Sequence, residues 1–237
     1  MRIRGLLFDK DGTLLDYHVS WMPLNRSVAL FAADGDEALA QRLLVSGGFD
    51  PETNRIRANT PLAVGTPVEI GAAFAEVLGK PARADLGVEV DRLFQAGAAF
   101  AALVPGAKAA LAQFRARTRH LGIATSDSMA GLLASLGPHD ILSEFDFLAA
   151  FDSGYGIKPG PGMALGFCNA CGLAPAEICV IGDNLHDIDM GRSAGASMVI
   201  GVLTGTSTEA DLAGHADRVY PGLAEMAADQ DFMALLA

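Results

Sequence analysis

The sequence predicts an α/β protein with a parallel sheet whose first strand is separated from the others by a mostly helical insert. From about residue 105 onward, short apolar runs that end in polar or glycine turns alternate with helical patterns, as they do in βαβ units. A similar apolar run lies near the N-terminus at residues 5–8. Between these two parts, residues 16–104 show helical patterns and no convincing strand.

Five short runs of apolar or β-branched residues are the predicted strands of the sheet, and they lie at residues 6–8, 121–124, 147–150, 178–181 and 198–202. Helices are predicted between them at about residues 105–117, 127–136, 161–171 and 187–194, the second with Asp127 as its N-cap. Because strands and helices alternate, residues 1–15 and 105–237 are predicted to form one parallel-sheet, Rossmann-like core domain.

The insert is predicted to form a second, helical domain of residues 16–104. Its helical patterns cover residues 24–33, 36–45, 67–78 and 87–102, and residues 46–66, which contain glycines and prolines, are predicted as a long loop. Because the insert begins just after the polar loop at residues 9–13, we expect it to cap that end of the sheet, to exclude water and to select a substrate. The alternative is that these helices pack directly on the sheet, but such a long stretch without strands favours the cap.

Composition narrows the classes of partner. The 237 residues are 51% apolar, which is enough for a sizeable core, and the net charge of −11 argues against nucleic acid or an anionic membrane as partner. A small anionic substrate is still compatible, because a bound divalent cation reverses the local charge. No apolar run reaches the roughly 18–20 residues that cross a bilayer. The oligomeric state is not indicated.

The expected compartment is a reducing cytoplasm. Asp9 interrupts the apolar part of the N-terminus too early for a signal peptide, and three cysteines do not suggest a disulfide framework. Cys168 and Cys171 have CxxC spacing, but they lie in a predicted helix with apolar neighbours and no second pair completes a zinc set. We expect them to be buried core thiols.

Polar side chains that could carry chemistry follow four of the predicted strands. Because the carboxyl ends of parallel strands meet at one edge, where open α/β sheets bind ligands, we expect these side chains to converge. The set consists of Asp9, Asp11, Thr125, Lys158, Asp183 and Asp187.

The residue types suit phosphoryl transfer. Asp9 can attack phosphorus to form an aspartyl phosphate, while Asp11 can protonate the leaving oxygen and later deprotonate the attacking water. Thr125 can donate a hydrogen bond to a phosphoryl oxygen. Lys158 can neutralise the phosphoryl charge and hold the Asp9 carboxylate.

The same set contains enough carboxylates for a magnesium site. Asp9 and Asp11 lie two residues apart and can share one Mg²⁺, and Asp183 and Asp187 can complete its oxygen ligands. The cation and Lys158 would keep these neighbouring carboxylates ionised.

With these residues identified, the chain resembles the hydrolases of the haloacid dehalogenase (HAD) superfamily that carry a helical cap after their first motif. Residues 9–13, DKDGT, match the family's DxDGT, Thr125 its second-motif Ser/Thr, Lys158 its third-motif Lys, and Asp183 with Asp187 its GDxxxD. The resemblance covers the whole chain, and four motifs in order make it specific. It implies a Mg²⁺-dependent phosphatase that acts on a small phosphorylated metabolite through an aspartyl phosphate.

Residue identities refine this resemblance. Asp11 favours a phosphatase or phosphomutase, since dehalogenases of this fold lack the second Asp. The chain looks most like phosphoglycolate phosphatase-type enzymes, which suggests 2-phosphoglycolate as substrate, but Ser126 replaces the usual Asn of the second motif and His186 the frequent Asn of the fourth. Two alternatives are a phosphomutase of a sugar phosphate and, in another class, a phosphate-responsive regulatory module.

Other notable residues are expected to be structural. Trp21 should pack at the junction of core and cap rather than form a wall for the substrate. His18 should lie at a hinge or on the surface rather than touch the substrate. Arg55 and Arg57, in the long loop, should face solvent rather than recognise a second anionic group. His186 should lie beside the metal site without binding the ion, because Mg²⁺ prefers oxygen.

Overall fold

The computed structural model describes residues 2–79, 86–98 and 100–237. Its core is a six-stranded sheet in which all neighbouring strands are parallel. The strands along the chain are β1 (Gly5–Phe8), β2 (Phe49–Asp50), β3 (Arg55–Ile56), β4 (His120–Ala124), β5 (Phe147–Ala149), β6 (Ile178–Gly182), β7 (Met198–Val202) and β8 (Arg218–Tyr220). The sheet has the order β5-β4-β1-β6-β7-β8, whereas β2 and β3 form a separate antiparallel hairpin. The predicted α/β fold class is confirmed.

The helices along the chain are α1 (Tyr17–Ala32), α2 (Glu37–Gly47), α3 (Pro61–Val64), α4 (Pro67–Leu78), α5 (Leu86–Ala98), α6 (Ala107–Arg115), α7 (Met129–Leu136), α8 (Gly162–Cys171), α9 (Leu185–Ala194), α10 (Glu209–Leu212), α11 (Leu223–Ala228) and α12 (Gln230–Met233). Among the described residues, no helix is both long enough and apolar enough to cross a lipid bilayer.

Alternate residues of the strands bury both faces of the sheet. Leu6 and Phe8 of β1 pack in a cluster that includes residues of α6, α7, α11 and α12, whereas Leu7 between them packs with residues of α8 and α9 on the other face. Strands buried on both faces read as continuous apolar runs, which explains why the sequence revealed most of them.

β1 lies between β4 and β6, and this register places the ends of the three strands together. Phe8, the last residue of β1, is opposite Ile123 in β4 and Ile181 in β6. The backbone N–H of Asp9 still donates to the carbonyl of Ile181 at 2.8 Å. The residues that follow these strands therefore emerge side by side at one edge.

Helices α1, α2, α4 and α5 pack around an apolar cluster of their own, which includes Val28, Leu43, Phe74 and Val90. The chain leaves and returns to the sheet through a short pair of neighbouring segments. Asp16 N–H donates to the carbonyl of Ala102 at 2.8 Å, and Val104 N–H to that of Leu14 at 2.9 Å. These contacts support the predicted boundaries near residues 15 and 105, and the division into a core and a cap domain stays a prediction.

The prediction of a strand-free insert is wrong in one place. Within the predicted loop of residues 46–66, β2 and β3 form a hairpin, with Phe49 opposite Ile56, and α3 follows it. Both side chains are buried in the apolar cluster of the insert. Strands of two residues are too short to show an alternating pattern, so they could not be predicted from the sequence.

Several predicted boundaries also need correction. Helix α1 begins at Tyr17 and not near residue 24, because Asp16 caps it and Pro23 is accommodated inside it. Helix α5 ends at Ala98, four residues earlier than predicted. Asp127 is not the N-cap of α7, since the side chain of Ser128 accepts from Gly131 N–H in that role. The sequence also failed to reveal β8, a short edge strand whose three residues are half-buried.

The cysteines behave as core residues. Cys168 is buried on α8, Cys179 is buried on β6, and Cys171 is half-buried at the end of α8. Burial raises the pKa of Cys168 to about 11, which disfavours the reactive thiolate. The expectation of core thiols is confirmed for Cys168, while Cys171 is only partly covered.

Candidate active site

Three carboxylates converge at the carboxyl edge of the sheet. Asp9 follows β1, Asp183 follows β6, and Asp187 lies in the first turn of α9. Each is buried, and each contributes an oxygen to a set whose members all lie within 4.8 Å of one another. The structure therefore brings these three predicted site residues together, as expected from the order of the strands.

Backbone and side-chain donors hold two of the carboxylates in place. Asp187 Oδ2 accepts from Asn184 N–H at 3.2 Å, as part of the capping box that starts α9. Asp183 Oδ2 accepts from Thr206 N–H at 2.7 Å and from its hydroxyl at 3.2 Å, and Asn184 Nδ2 donates to that hydroxyl at 2.7 Å. Sequence reasoning missed Asn184 and Thr206. Asn184 could have been recognised as an N-cap, but Thr206 lies in the loop after β7 and meets Asp183 only through the fold.

One ammonium group lies among these carboxylates. Lys158 Nζ is 2.6 Å from Asp9 Oδ1 and 2.6 Å from Asp187 Oδ1. Burial alone would lower the pKa of Lys158, but the Asp187 and Asp9 carboxylates more than reverse that effect and the pKa rises above its usual value. Lys158 is therefore charged at any physiological pH.

The cluster carries more negative charge than Lys158 compensates. Burial raises the pKa of Asp183 well above its usual range, and the Asp9 and Asp187 carboxylates raise it further. Burial likewise raises the pKa of Asp187 to about 6, although Lys158 opposes the shift. Asp9 Oδ2 is buried without a hydrogen-bond partner among the described residues. Clustered carboxylate oxygens, one of them unpartnered, fit a hard divalent cation such as Mg²⁺.

Thr125 faces the same cavity from the end of β4. Its N–H donates to the carbonyl of Ala149 at 2.9 Å, which extends the pairing with β5. Its Oγ1 accepts from Asp127 N–H at 3.1 Å, so the hydroxyl proton is available to donate to a ligand. Thr125 is thus oriented as a hydrogen-bond donor in the site.

Asp11 faces the cavity but does not join the carboxylate cluster. Its Oδ1 accepts from Trp21 Nε1 at 2.5 Å and from Lys10 Nζ at 3.0 Å, and Lys10 Nζ is 2.8 Å from Oδ2. Burial raises the pKa of Asp11 to about 6, although the Lys10 ammonium lowers it. This arrangement gives no support to the predicted role of the Asp11 carboxylate as a metal ligand. Its predicted role in proton transfer stays a prediction, and a pKa near neutrality suits that role.

Lys10 is a further residue to which the sequence reasoning assigned no role. Its side chain is 0% exposed, and Nζ lies 2.8 Å from Asp127 Oδ2 as well as beside Asp11. It also donates to Ser135 Oγ at 3.3 Å and lies 5.0 Å from the centre of the Trp21 ring. A lysine directly after a buried strand was a possible signal, because a buried lysine requires a partner.

The insert closes the other side of the cavity. Trp21 packs edge-on against Phe94 with ring centres 4.8 Å apart, and its indole N–H donates to Asp11 at 2.5 Å, so it contacts both the insert and the loop after β1. It also lines the cavity, which was the less favoured of its two predicted roles. The Tyr17 hydroxyl donates to the carbonyl of Leu62, and the Asn25 side chain donates to the Tyr17 hydroxyl at 3.4 Å. The cavity thus lies between the acidic edge of the sheet and a mainly apolar wall.

Of the remaining candidates, His186 lines this cavity, whereas His18, Arg55 and Arg57 are not among its lining residues. His186 is half-buried and lines it, outside the carboxylate cluster, which agrees with the expectation that it is not a ligand. His18 is half-buried, and burial together with the nearby Arg55 lowers its pKa. Arg55 and Arg57 are exposed, as predicted.

A glycine in the loop after β7 is required for the position of Asp183. A Cβ atom at Gly205 would lie 1.9 Å from Asp183 Oδ2, so Gly205→Ala must push the carboxylate away. We expect this variant to weaken Mg²⁺ binding by about 10-fold or more, measured as the Mg²⁺ dependence of the thermal midpoint. Gly137→Ala is the matched control, since a Cβ there meets nothing within 4 Å. An unchanged Mg²⁺ dependence in Gly205→Ala would contradict the metal-site assignment.

A parallel sheet with an acidic, lysine-containing cavity at its carboxyl edge is the α/β architecture that the motifs predicted. The family model for haloacid dehalogenase-like hydrolases matches residues 3–195. The chain therefore belongs to the haloacid dehalogenase-like hydrolase family, and the predicted family is confirmed.

Relatives by sequence are phosphatases. The chain is 29% identical over 210 residues to a probable phosphatase, IndB, of Dickeya dadantii, covering 86% of this chain and 82% of the relative. It is 26% identical to an N-acetylmuramic acid 6-phosphate phosphatase of Pseudomonas aeruginosa, covering 82% and 80%. It is also 26% identical to a phosphoglycolate phosphatase of Shigella boydii, covering 83% and 80%. The predicted enzyme class, a phosphoric monoester hydrolase, is confirmed.

Solved structures share the fold. A predicted phosphoglycolate phosphatase from Haemophilus somnus superposes with a TM-score of 0.71 at 21% identity, covering 95% of this chain and 97% of the other. A candidate β-phosphoglucomutase from Thermotoga maritima superposes with a TM-score of 0.65 at 22% identity, covering 96% and 97%. Proteins with phosphatase and mutase descriptions thus share this architecture.

Proposed function

We propose that this protein hydrolyses a small phosphomonoester with Mg²⁺ and an aspartyl-phosphate intermediate. One observation carries the proposal. Asp9 has one carboxylate oxygen bound by Lys158 at 2.6 Å and the other buried without a hydrogen-bond partner among the described residues, in a cavity that Thr125 and Asp11 also line. A carboxylate oxygen oriented in this way is a nucleophile placed beside the groups that a phosphoryl ester needs.

Asp9, Asp183 and Asp187 would hold the magnesium ion, since their oxygens form the cluster. When bound, Mg²⁺ supplies a Lewis acid that offsets the charge of the carboxylates and of the phosphoryl oxygens. Lys158 and Thr125 act on the same phosphoryl group, the first as a cation and the second as a hydroxyl donor.

In the first step, an Asp9 oxygen attacks phosphorus and the bond from phosphorus to the ester oxygen breaks. The electron pair of that bond stays on the leaving oxygen, which takes the proton of the Asp11 carboxyl group and departs as an alcohol. Burial raises the pKa of Asp11 to about 6, so a useful fraction is protonated near neutral pH.

In the second step, water attacks the phosphorus of the aspartyl phosphate. Asp11, now a carboxylate, takes a proton from that water, and the bond between phosphorus and the Asp9 oxygen breaks. Orthophosphate leaves, Asp9 is a carboxylate again and Asp11 is protonated again. The sum of both steps is the hydrolysis of the ester to an alcohol and phosphate.

A phosphomutase is the second candidate, and the likeness to the candidate β-phosphoglucomutase favours retaining it. Such an enzyme returns the phosphoryl group to a sugar hydroxyl in place of water. Conversion of a sugar 1-phosphate to its 6-phosphate, stimulated by the corresponding bisphosphate, would distinguish it. No feature of the described site favours the regulatory module.

The test of the proposal is phosphate release from a panel of phosphomonoesters, with Mg²⁺ and with EDTA. We expect release from p-nitrophenyl phosphate and from at least one alkyl phosphate. We expect EDTA to lower it by about 100-fold or more, because three carboxylates that Lys158 compensates only in part would repel the substrate. Folded protein that releases no phosphate from any ester in Mg²⁺ would contradict the proposal.

A further inference from the structure

The wall that the insert contributes to the cavity carries no charged side chain among the described residues. The wall is formed by Tyr17, Trp21, Asn25, Leu62, Ala63, Val64, Gly65, Pro67, Ile70 and Phe94. Aromatic and aliphatic groups make up most of this surface, and its polar side chains are a phenol, an indole and a carboxamide. This wall lies opposite the phosphoryl-binding groups, so it faces the alcohol part of a bound ester.

The sheet side of the cavity has no spare positive charge among the described residues. Five carboxylates line it, together with Lys158, which is already paired with Asp9 and Asp187. Lys10, which is not a lining residue, is paired with Asp11 and Asp127. The charge of a bound divalent cation would be neutralised by the phosphoryl dianion and the carboxylates. A second anionic group on the substrate would therefore be held in a poorly solvated space among like charges.

The polar groups of the wall suit a hydroxyl. The Tyr17 hydroxyl proton is used by the carbonyl of Leu62, and Asn25 Nδ2 reaches the Tyr17 oxygen only at 3.4 Å. Asn25 is 1% exposed and lines the cavity, and the hydrogen bond that the structure shows for its side chain is the one that Nδ2 donates to Tyr17. The carboxamide oxygen of Asn25 can accept a hydrogen bond, and an alcohol hydroxyl is a neutral group that can donate one.

We infer that the substrate is the phosphomonoester of a neutral, hydroxylated alcohol, such as a sugar or polyol, and that esters with a carboxylate or second phosphate on the alcohol are disfavoured. This inference rests on the proposed function and names its substrate class. It departs from 2-phosphoglycolate, whose alcohol part carries a carboxylate. Trp21 and Phe94 offer an apolar surface for the carbon skeleton, and Asn25 is the residue that recognises the hydroxyl.

The test compares matched esters on the Mg²⁺-loaded enzyme at pH 8, where a histidine of ordinary pKa, about 6.5, is neutral. 2-Hydroxyethyl phosphate and 2-phosphoglycolate differ in a hydroxymethyl group against a carboxylate, and glucose 6-phosphate and 6-phosphogluconate form a second pair. We expect kcat/KM to favour the neutral member of each pair by at least about tenfold. Equal values, or a preference for the anionic members, would overturn the inference.

The role of Asn25 is tested with 2-hydroxyethyl phosphate and ethyl phosphate, which differ mainly in one hydroxyl. In Asn25→Ala we expect the ratio of their kcat/KM values to fall by about tenfold, because the hydroxyl loses its buried partner. The exposed Arg57→Ala variant should leave the ratio as in the wild type. An unaltered ratio in folded Asn25→Ala would overturn the assignment of Asn25.

The outcomes separate this inference from the proposed function. If p-nitrophenyl phosphate is hydrolysed with Mg²⁺ but the anionic esters are preferred, only the substrate class is wrong. Loss of that preference in Arg55→Ala would then identify the exposed arginine near His18 as the anion-binding group. If no ester is hydrolysed, the proposed function fails and this inference fails with it.

Discussion

Asp9→Asn is expected to lower kcat by at least about a thousandfold, because it removes the only oxygen nucleophile that the proposed first step uses. The fold should be retained, since Asn keeps the size of Asp and Lys158 still pairs with Asp187 at 2.6 Å. Removing one of three clustered carboxylates also relieves repulsion. We therefore expect a thermal midpoint equal to or above that of the wild type in EDTA, and a smaller stabilisation by Mg²⁺.

The measurement is steady-state phosphate release together with thermal unfolding with and without Mg²⁺. Asp36→Asn is the matched control, because Asp36 caps α2 outside the cavity and Asn caps helices equally well. Wild-type turnover in Asp9→Asn would exclude Asp9 as the nucleophile. Loss of activity with an unfolded protein would assign Asp9 a structural role instead.

Lys10→Met is expected to lower both the free energy of unfolding and the rate at which esters with poor leaving groups, such as alkyl phosphates, are hydrolysed. It leaves the Asp11 and Asp127 carboxylates buried side by side without their shared cation. Breaking one partner of a buried ion pair costs about 3–5 kcal/mol, so we expect the free energy of unfolding to fall by that amount in urea titrations. Lys108→Met, at an exposed lysine that contacts only the carbonyl of His139, should change it by less than about 0.5 kcal/mol.

Lys10 is also proposed as a positioning residue for Asp11. It contacts both oxygens of that carboxylate, at 3.0 and 2.8 Å, and its loss frees Asp11 to rotate away from the leaving oxygen. An alkoxide needs a proton from Asp11, whereas p-nitrophenolate leaves without one. We therefore expect Lys10→Met to lower kcat/KM for an alkyl phosphate about tenfold more than for p-nitrophenyl phosphate.

A merely structural role of Lys10 would lower activity toward both esters by the same factor, and that result would contradict the positioning role. The double variant Lys10→Met, Asp127→Asn separates the two effects, because it removes one of the unpaired carboxylates. It should recover part of the lost stability but not the activity toward the alkyl phosphate.

The sheet could be predicted where its strands are buried on both faces. β1, β4, β6 and β7 are continuous apolar runs, and each lies within a residue or two of its predicted place. The edge strand β8 and the hairpin of β2 and β3 lack that signal, because half-buried or two-residue strands have no characteristic pattern. The start of α1 was predicted too late, and the helix runs through Pro23, although a proline inside a helix usually breaks or kinks it.

The candidate site divides in the same way. Residues that directly follow predicted strands, such as Asp9, Thr125 and Asp183, were expected to converge because strand ends in a parallel sheet share an edge. The separation of Asp11 from the carboxylate cluster was not expected. It depends on Trp21, which comes from α1, and on Lys10, whose ammonium reaches Asp127 in the loop after β4.

The amino-acid sequence by itself determined the parallel-sheet architecture, the order of the polar residues along it and the class of chemistry that they suit. These follow from local hydrophobic patterns and from residue types at strand ends, which depend on near neighbours in the chain. Only the tertiary structure decided which carboxylates lie close enough together to hold an ion and which one contacts Lys10. The tertiary structure also showed that the wall of the cavity formed by the insert has no charged side chain among the described residues. The sequence could not reveal this, because the wall is formed where residues of α1, α3, α4 and α5 pack together.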